Sequence, residues 1–433
     1  MCCDAGRVNG LLRQTKIYLG GVSGDRPAIP IDATRLEAAA GRQMSGDAFA
    51  YVRAGAGNER TMAANRAAFD RWRIVPRMLR DVERRDTSIE LFGRKLPSPL
   101  LLAPIGVLEL AHREADAAVA RAARDTGTLM IFSNQASRPM EGLARILESS
   151  PHWFQLYWSK SDELVESFAT RAKRCGCEAI VVTVDTTLLG WRSRDLERGY
   201  LPFLRGKGIA QYTSDPVFQR LLAEPAAQPP REQQPRPNLT ALRTLIALTR
   251  AYPEGFVPTL RSGRGRAAVQ RFTDIYSRPS LTWEHLAFLR ERTDLPILLK
   301  GILAPEDARR AVDSGIDGIV VSNHGGRQVD GSIATLEALP AIAEAVQGRI
   351  PILLDSGVRG GADAFKALAL GADAVLIGRP YVYGLALGGR EGVREVIQNL
   401  NADFELTMGL AGCRSVADIG RETLTEGAAL PVG

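Results

Sequence analysis

An α/β fold, a parallel (β/α)8 TIM barrel with an N-terminal helical segment and a long insertion acting as a lid after strand four, is predicted by three observations. Eight short apolar runs recur along the chain, and helical patterns separate most of them. Glycines and polar residues stand directly after these runs, where a barrel places its ligands. Part of the second half also repeats. Asp307-Ala308-Arg309-Arg310-Ala311, followed by Gly315-Ile316-Asp317, returns as Asp363-Ala364-Phe365-Lys366-Ala367 followed by Gly371-Ala372-Asp373. Each copy leads into an apolar run, as barrel units do; a solenoid period would persist along the chain.

The runs are Leu100–Pro104, Leu129–Ser133, Trp153–Tyr157, Ile180–Asp185, Ile297–Gly301, Ile319–Ser322, Ile352–Asp355 and Ala374–Gly378. The helical patterns are Arg113–Thr126, Met140–Glu148, Asp162–Lys173, Trp283–Arg292, Pro305–Ser314, Leu336–Val346 and Ala362–Leu370. One domain over 1–433 is expected, with a helical segment at 1–95, the barrel at 97–189 and 281–380, the insertion at 190–280, and C-terminal helices and tail at 381–433. In the first segment, Asp47 to Gly57 reads as a helix ending at a glycine. In the insertion, the proline- and glutamine-rich stretch 223–237 reads as a mobile loop, and a long loop at a barrel mouth is a candidate lid.

Composition narrows the class. The 433 residues are 45% hydrophobic and 24% charged, ample for one large core. A formal charge of +6 without a block of basic and aromatic residues argues against nucleic acid and suits small anionic substrates. No run approaches the roughly 18 apolar residues of a membrane span. Met1 to Thr15 lacks the signal-peptide pattern, so the cytoplasm is the expected compartment. Cys2, Cys3, Cys175, Cys177 and Cys413 lack metal-site spacing; no metal is expected.

The chemistry centres on Val320-Val321-Ser322-Asn323-His324-Gly325-Gly326-Arg327-Gln328. On a loop after a strand, a histidine can take a proton near neutral pH while an arginine grips a carboxylate. Strand seven ends in Asp355-Ser356-Gly357-Val358-Arg359-Gly360-Gly361 and strand eight in Gly378-Arg379-Pro380. Their glycine N–H groups and two arginines predict an anion cradle. Lys300, ending strand five, could form a Schiff base or stay charged beside a cofactor. The other strand ends present Ala103-Pro104-Ile105-Gly106, Ser133-Asn134, Gln155 with Tyr157, and Thr183 with Asp185, then Leu189-Gly190-Trp191-Arg192.

In these motifs, from about Ala48 to Cys413, the chain resembles the FMN-dependent L-2-hydroxy acid oxidase and dehydrogenase family. Gly190-Trp191-Arg192, Tyr200-Leu201-Pro202-Phe203-Leu204-Arg205-Gly206 and a long insertion at this place are most similar to its lactate 2-monooxygenase branch. The resemblance implies FMN as cofactor and His324 as the base, with the electron pair passing to flavin N5. It implies Asp185 as partner of His324, Arg192 and Arg327 on the substrate carboxylate, and Tyr51 and Tyr157 on carboxylate and hydroxyl. Lys300 would face flavin N1 and O2. Pro104, Ile105 and Gly106 would flank the ring; Ser133, Gln155, Thr183 and Ser322 would meet ring edge and ribityl chain. Asp355, Gly357, Arg359, Gly378 and Arg379 would hold ribityl and phosphate.

The implied partners are a small L-2-hydroxy acid and O2, and the implied assembly is a homotetramer or homo-octamer. The expected reaction turns lactate and O2 into acetate, carbon dioxide and water. An oxidase releasing 2-oxo acid and H2O2, a dehydrogenase with another acceptor, a flavin-binding isomerase and a non-catalytic flavoprotein are the alternatives. Gly106 stands where many relatives place alanine, leaving room for oxygen or a larger substrate side chain. Asn134 and Gln135 depart from the small residues expected of lactate enzymes, which leaves other substrates open.

Overall fold

The computed structural model describes residues 9–224, 238–252 and 255–427. Cys2, Cys3 and residues 225–237 of the expected mobile loop lie outside them.

Four helices come first, α1 (Gly10–Val22), α2 (Ala33–Gln43), α3 (Gly46–Arg53) and α4 (Arg60–Arg71). Helix α3 stops at Arg53, short of the glycine at which the sequence pattern ends it, and Ala54 is extended. Its late carbonyls are taken by arginines from the barrel: Tyr51 O and Ala54 O by Arg327, Val52 O and Ala54 O by Arg379.

The first segment is also not wholly helical. Strand β1 (Trp72–Ile74) pairs with a strand at the far end of the chain, and β2 (Ile89–Leu91) forms a hairpin with β3 (Arg94–Leu96). The hairpin turns at Phe92 and Gly93, both at positive φ (49° and 75°), the mirror-image turn that matches strand twist. Three-residue strands are too short to show a period, which is why a helical reading prevailed there.

The first four of the barrel's eight strands follow: β4 (Leu100–Leu102) with α5 (Ala115–Thr126), β5 (Met130–Phe132) with α6 (Met140–Leu147), β6 (His152–Tyr157) with α7 (Asp162–Arg174), and β7 (Ile180–Thr183). Helix α7 shows why such segments are helical. Ser161 caps it by accepting from Leu164 N, acids fill its first turn and bases its last, and Leu164, Val165, Phe168, Ala169 and Ala172 form its buried face.

The insertion carries α8 (Ser193–Glu197), α9 (Ala210–Thr213), α10 (Pro216–Leu221), α11 (Leu239–Ala251), α12 (Phe256–Ser262) and α13 (Arg264–Ile275). Its described parts pack around the buried rings of Phe203, Tyr212, Phe218 and Phe272. After α14 (Glu284–Arg290) come β8 (Ile297–Ile302), α15 (Pro305–Asp313), β9 (Gly318–Val321), α16 (Thr335–Val346), β10 (Ile352–Leu354), α17 (Gly361–Ala369), β11 (Ala374–Ile377), the long α18 (Arg379–Leu410) and β12 (Leu424–Glu426), the partner of β1.

Strands β4 to β11 close a parallel barrel in chain order, β11 pairing with β4 through Val375 and Leu100. Both faces of each strand are buried, so the sequence shows continuous apolar runs instead of alternation. Leu101, Ile131, Trp153, Val181, Leu298, Val320, Leu353 and Leu376 fill the interior, plugged below by Leu91 and Leu96 of the hairpin. The alternate residues, among them Leu100, Met130, Phe154, Ile180 and Leu299, pack against the outer helices. Among the described residues no helix is long and apolar enough to cross a membrane, and no cluster of three or more His, Cys, Asp or Glu could hold a metal. Cys175 ends α7 and Cys177 is buried; these two and Cys413 are free thiols.

Candidate active site

Side-chain period carries the interior one layer up. Two residues beyond the inward-facing apolar layer stand Ala103, Ser133, Gln155, Thr183, Lys300, Ser322, Asp355 and Gly378, at the C-terminal mouth. Of these, Ala103, Gln155, Thr183, Lys300, Asp355 and Gly378 line one cavity, together with Pro104, Ile105, Gly106, Gly357, Arg359 and Arg379. Tyr51, Tyr157, Arg192, His324 and Arg327 line the same cavity. Three expected residues sit behind its wall. Ser133 Oγ donates to Gln155 Oε1 at 3.3 Å and accepts from Gln135 N. Ser322 Oγ accepts from Lys300 Nζ at 2.8 Å and from His324 N at 3.1 Å. Both hydroxyls hold wall residues: Ser133 spends its proton on Gln155, whereas Ser322 accepts twice and keeps a proton to donate. Asp185 is the third, and it backs His324.

His324 Nδ1 lies 2.9 Å from Asp185 Oδ1, which also accepts from Thr186 Oγ1. A carboxylate only accepts, so the Nδ1 proton points at Asp185 and Nε2 carries the free lone pair. Burial pushes the imidazole below its ordinary value, although Asp185 opposes that; the group is neutral at pH 7. Burial works against the Asp185 carboxylate, but the His324 and Thr186 hydrogen bonds and the Lys300 charge outweigh it and keep it ionised. Room for Asp185 is made at Gly301, where φ is +112° and a Cβ would stand 2.6 Å from Asp185 Cβ.

His324 itself has φ +58°, an unfavourable region for a side chain that only a well-braced loop retains. The brace comes from α4. Asn65 and Asn323 exchange two amide hydrogen bonds of 2.9 and 2.8 Å, both side chains buried. Asn323 Oδ1 also accepts from Gly326 N, and Asn65 Oδ1 from Thr335 N. Asp330, from the same loop, caps the N-terminus of α4 by accepting from Asn58, Arg60 and Thr61 N–H. Nothing in the sequence marked Asn65 or Asp330, since an amide inside a helical pattern carries no local signal of a partner 258 residues away.

Charge in the cavity is unusual. Arg192, Arg327, Arg359 and Arg379 have no carboxylate ion pair among the described residues; their donors go to carbonyls and to Gln328. Burial, reinforced by Arg192, pushes Arg327 down to about 9. Burial, reinforced by Arg379, pushes Arg359 down to about 10. Arg192 and Arg327 stand over the Tyr51 ring, 6.0 and 5.1 Å from its centroid. Two anion sites are thus offered, one at Arg192 and Arg327 and one at Arg359 and Arg379.

The second differs from the expected cradle. The N–H groups of Arg359 and Gly360 are already bonded by Asp363, and that of Gly361 by Asp403. The guanidiniums and the uncapped start of α18 at Gly378 remain to receive an anion.

Lys300 is buried and bonded to Asp355 Oδ2 at 3.0 Å. Burial works against its charge, but Asp355 and Asp185 outweigh it and raise its pKa. A permanently charged lysine is no Schiff-base nucleophile, which removes that alternative. Tyr157 is pushed well above its ordinary value, by burial first and then by Asp185, and so remains a hydrogen-bond donor.

Gly106 does not leave open space. A Cβ there would stand 2.9 Å from Gln135 Cβ and 3.1 Å from Gln135 O, so Gln135 fills the room. The insertion adds Phe203 and Tyr276 to the cavity wall. The Phe203 motif was visible in the sequence; Tyr276 follows α13 with no feature to single it out.

Residues 40–426 match the family described as FMN-dependent dehydrogenase. The chain is 43% identical to an L-lactate oxidase of Lysinibacillus sphaericus (strain C3-41), over 92% of this chain and 93% of that one. It is 42% identical to the FMN-dependent alpha-hydroxy acid dehydrogenase qulF of Penicillium citrinum, over 95% and 94%. Among solved structures, mandelate oxidase with (S)-4-hydroxymandelic acid is similar at 37% identity and a TM-score of 0.74, covering 92% of this chain and 98% of that one.

Proposed function

Because this chain belongs to the FMN-dependent dehydrogenase family, matching it over residues 40–426, we propose that it oxidises a short L-2-hydroxy acid, with O2 as final acceptor. The specific reaction is L-lactate and O2 to acetate, carbon dioxide and water. The observation that carries this reading is one cavity uniting a neutral, carboxylate-backed histidine with two pairs of unmatched guanidiniums.

The residues fit FMN, the family's cofactor. Gln155 Nε2 and Thr183 Oγ1 are buried polar atoms without a partner among the described residues, as expected of groups that meet the polar edge of a flavin ring. Lys300 supplies a fixed cation beside that edge, and Arg359 and Arg379 with the start of α18 supply the phosphate site. Bound there, FMN supplies a two-electron acceptor.

The chain's own groups do the rest. Arg192 and Arg327 bind the substrate carboxylate, and the Tyr51 and Tyr157 hydroxyls donate to its carboxylate and hydroxyl. This fixes the α-carbon toward the cofactor. His324 Nε2 accepts the substrate proton, and Asp185 stabilises the imidazolium that results. Phe203 and Tyr276 roof the cavity from the insertion. A roof that retains 2-oxo acid with peroxide supports decarboxylation to acetate before release.

A second reading, release of pyruvate and H2O2, is favoured by the 43% identical relative, which is named an L-lactate oxidase. Under either reading we place the protein in the cytoplasm as a homotetramer or homo-octamer. Exposed Leu11, Leu12, Tyr18 and Leu19 along α1 support an assembly, and light scattering would read its mass.

Anaerobic L-lactate should bleach the yellow of the purified holoprotein. Aerobic turnover should then yield acetate; pyruvate with peroxide would select the second reading. No bleaching by lactate or any other short 2-hydroxy acid would sink both.

A further inference from the structure

Gln135 is left over once the groups above have been assigned. Its backbone is fully engaged, N–H to Ser133 Oγ at 3.1 Å and C=O from Val107 N at 2.9 Å. The residue is 92% buried and lines the cavity, and its side chain has no hydrogen-bond partner among the described residues. Buried amides are seldom left so, and one that faces a ligand cavity points to a ligand group. The wall residue beside it, Phe203, is apolar and offers nothing to an amide. Gly106 belongs to the same feature. Any side chain there would press on Gln135 Cβ and O, so glycine at 106 is what seats the amide in the wall.

Resting on the hydroxy-acid reading above, we propose that Gln135 determines specificity at the side-chain end of the substrate. The site takes L-2-hydroxy acids with an uncharged hydrogen-bonding group on C3, such as a hydroxyl, over apolar acids of equal length. The amide both donates and accepts, so a hydroxyl satisfies it in either sense, whereas a methyl leaves it unpaired when water is expelled. Lactate, with no C3 substituent to desolvate the amide, remains a substrate. Discrimination by one partly enclosed neutral group is on the order of ten- to a hundredfold.

The experiment compares L-glycerate, L-2-hydroxybutyrate and L-lactate on the FMN-loaded wild type and on Gln135→Leu. It also compares the affinities of 3-hydroxypyruvate and 2-oxobutyrate, read from the visible flavin spectrum without turnover. Wild type should favour glycerate over 2-hydroxybutyrate at least tenfold in kcat/KM and bind 3-hydroxypyruvate more tightly. Gln135→Leu should reverse both orders. Equal use of glycerate and 2-hydroxybutyrate by wild type overturns the assignment even if the variant does not fold. A folded variant that keeps the wild-type ratio also overturns it. Lactate oxidation with no glycerate preference rejects Gln135 alone, while oxidation of none of the three rejects the underlying reading as well.

Discussion

The His324 imidazole faces the Asp185 carboxylate at 2.9 Å, yet its pKa lies below the ordinary 6.5, because burial outweighs the carboxylate. Neutral imidazole is the proton acceptor, so kcat/KM should fall only as pH drops through a value below 6.5. Asp185→Asn removes the group that opposes burial, and the acid limb should move to still lower pH while kcat falls. His324→Asn should lower flavin reduction by roughly 100- to 10 000-fold with FMN retained. A pH profile of stopped-flow flavin reduction checks both; an acid limb that rises in Asp185→Asn would refute the assignment.

Substrate binding should fail on the alkaline side for a different reason. Burial and Arg192 together place Arg327 at about 9. Its charge is present below that pH and lost above it, so KM should climb as pH passes about 9 while kcat holds. Arg192→Lys keeps a charge but loses the planar fork, and should raise KM about 10- to 100-fold.

Four unmatched guanidiniums make the cofactor part of the fold's stability. Removing FMN by dialysis should lower the melting temperature by a few degrees. Adding FMN at about a hundredfold excess over Kd restores roughly 2.7 kcal/mol. Arg359→Leu should weaken FMN binding yet raise the melting temperature of the apoprotein, since it deletes a desolvated cation that Arg379 repels. Calorimetry of both forms decides; a less stable apoprotein would count against it.

Asn65 does not line the cavity, but it holds Asn323 and through it the left-handed His324. Asn65→Ala should leave a buried amide unpaired, costing about 1–3 kcal/mol of stability. It should also lower kcat more than it raises KM. Steady-state kinetics with thermal melts separate the two effects.

The barrel and most wall residues were legible because each is a local event, an apolar run followed by a polar or glycine-rich end. Gln155, Thr183 and Lys300 followed from strand ends alone, and Tyr51 only from the resemblance. Ser133 and Ser322 stand outside the cavity lining and brace its wall residues, contacts that a strand end in the sequence does not show. The space beside Gly106 was misjudged for a similar reason: its occupant, Gln135, comes from the next strand's loop. Asn65 with Asn323, and Asp330 on α4, depend on contacts hundreds of residues apart and leave no pattern.

Each wall strand obeys a parity rule, since the residue that fills the barrel floor and the one that meets ligand share a face two positions apart. A single residue inserted ahead of Lys300 within β8 would put outward-facing Leu299 in its place and undo the site, however mild its chemistry. Point substitutions at the mouth positions leave parity intact. Descent of new specificities on this scaffold is therefore channelled into side-chain exchange at a few in-phase positions, with length variation confined to connections such as the one between β7 and β8.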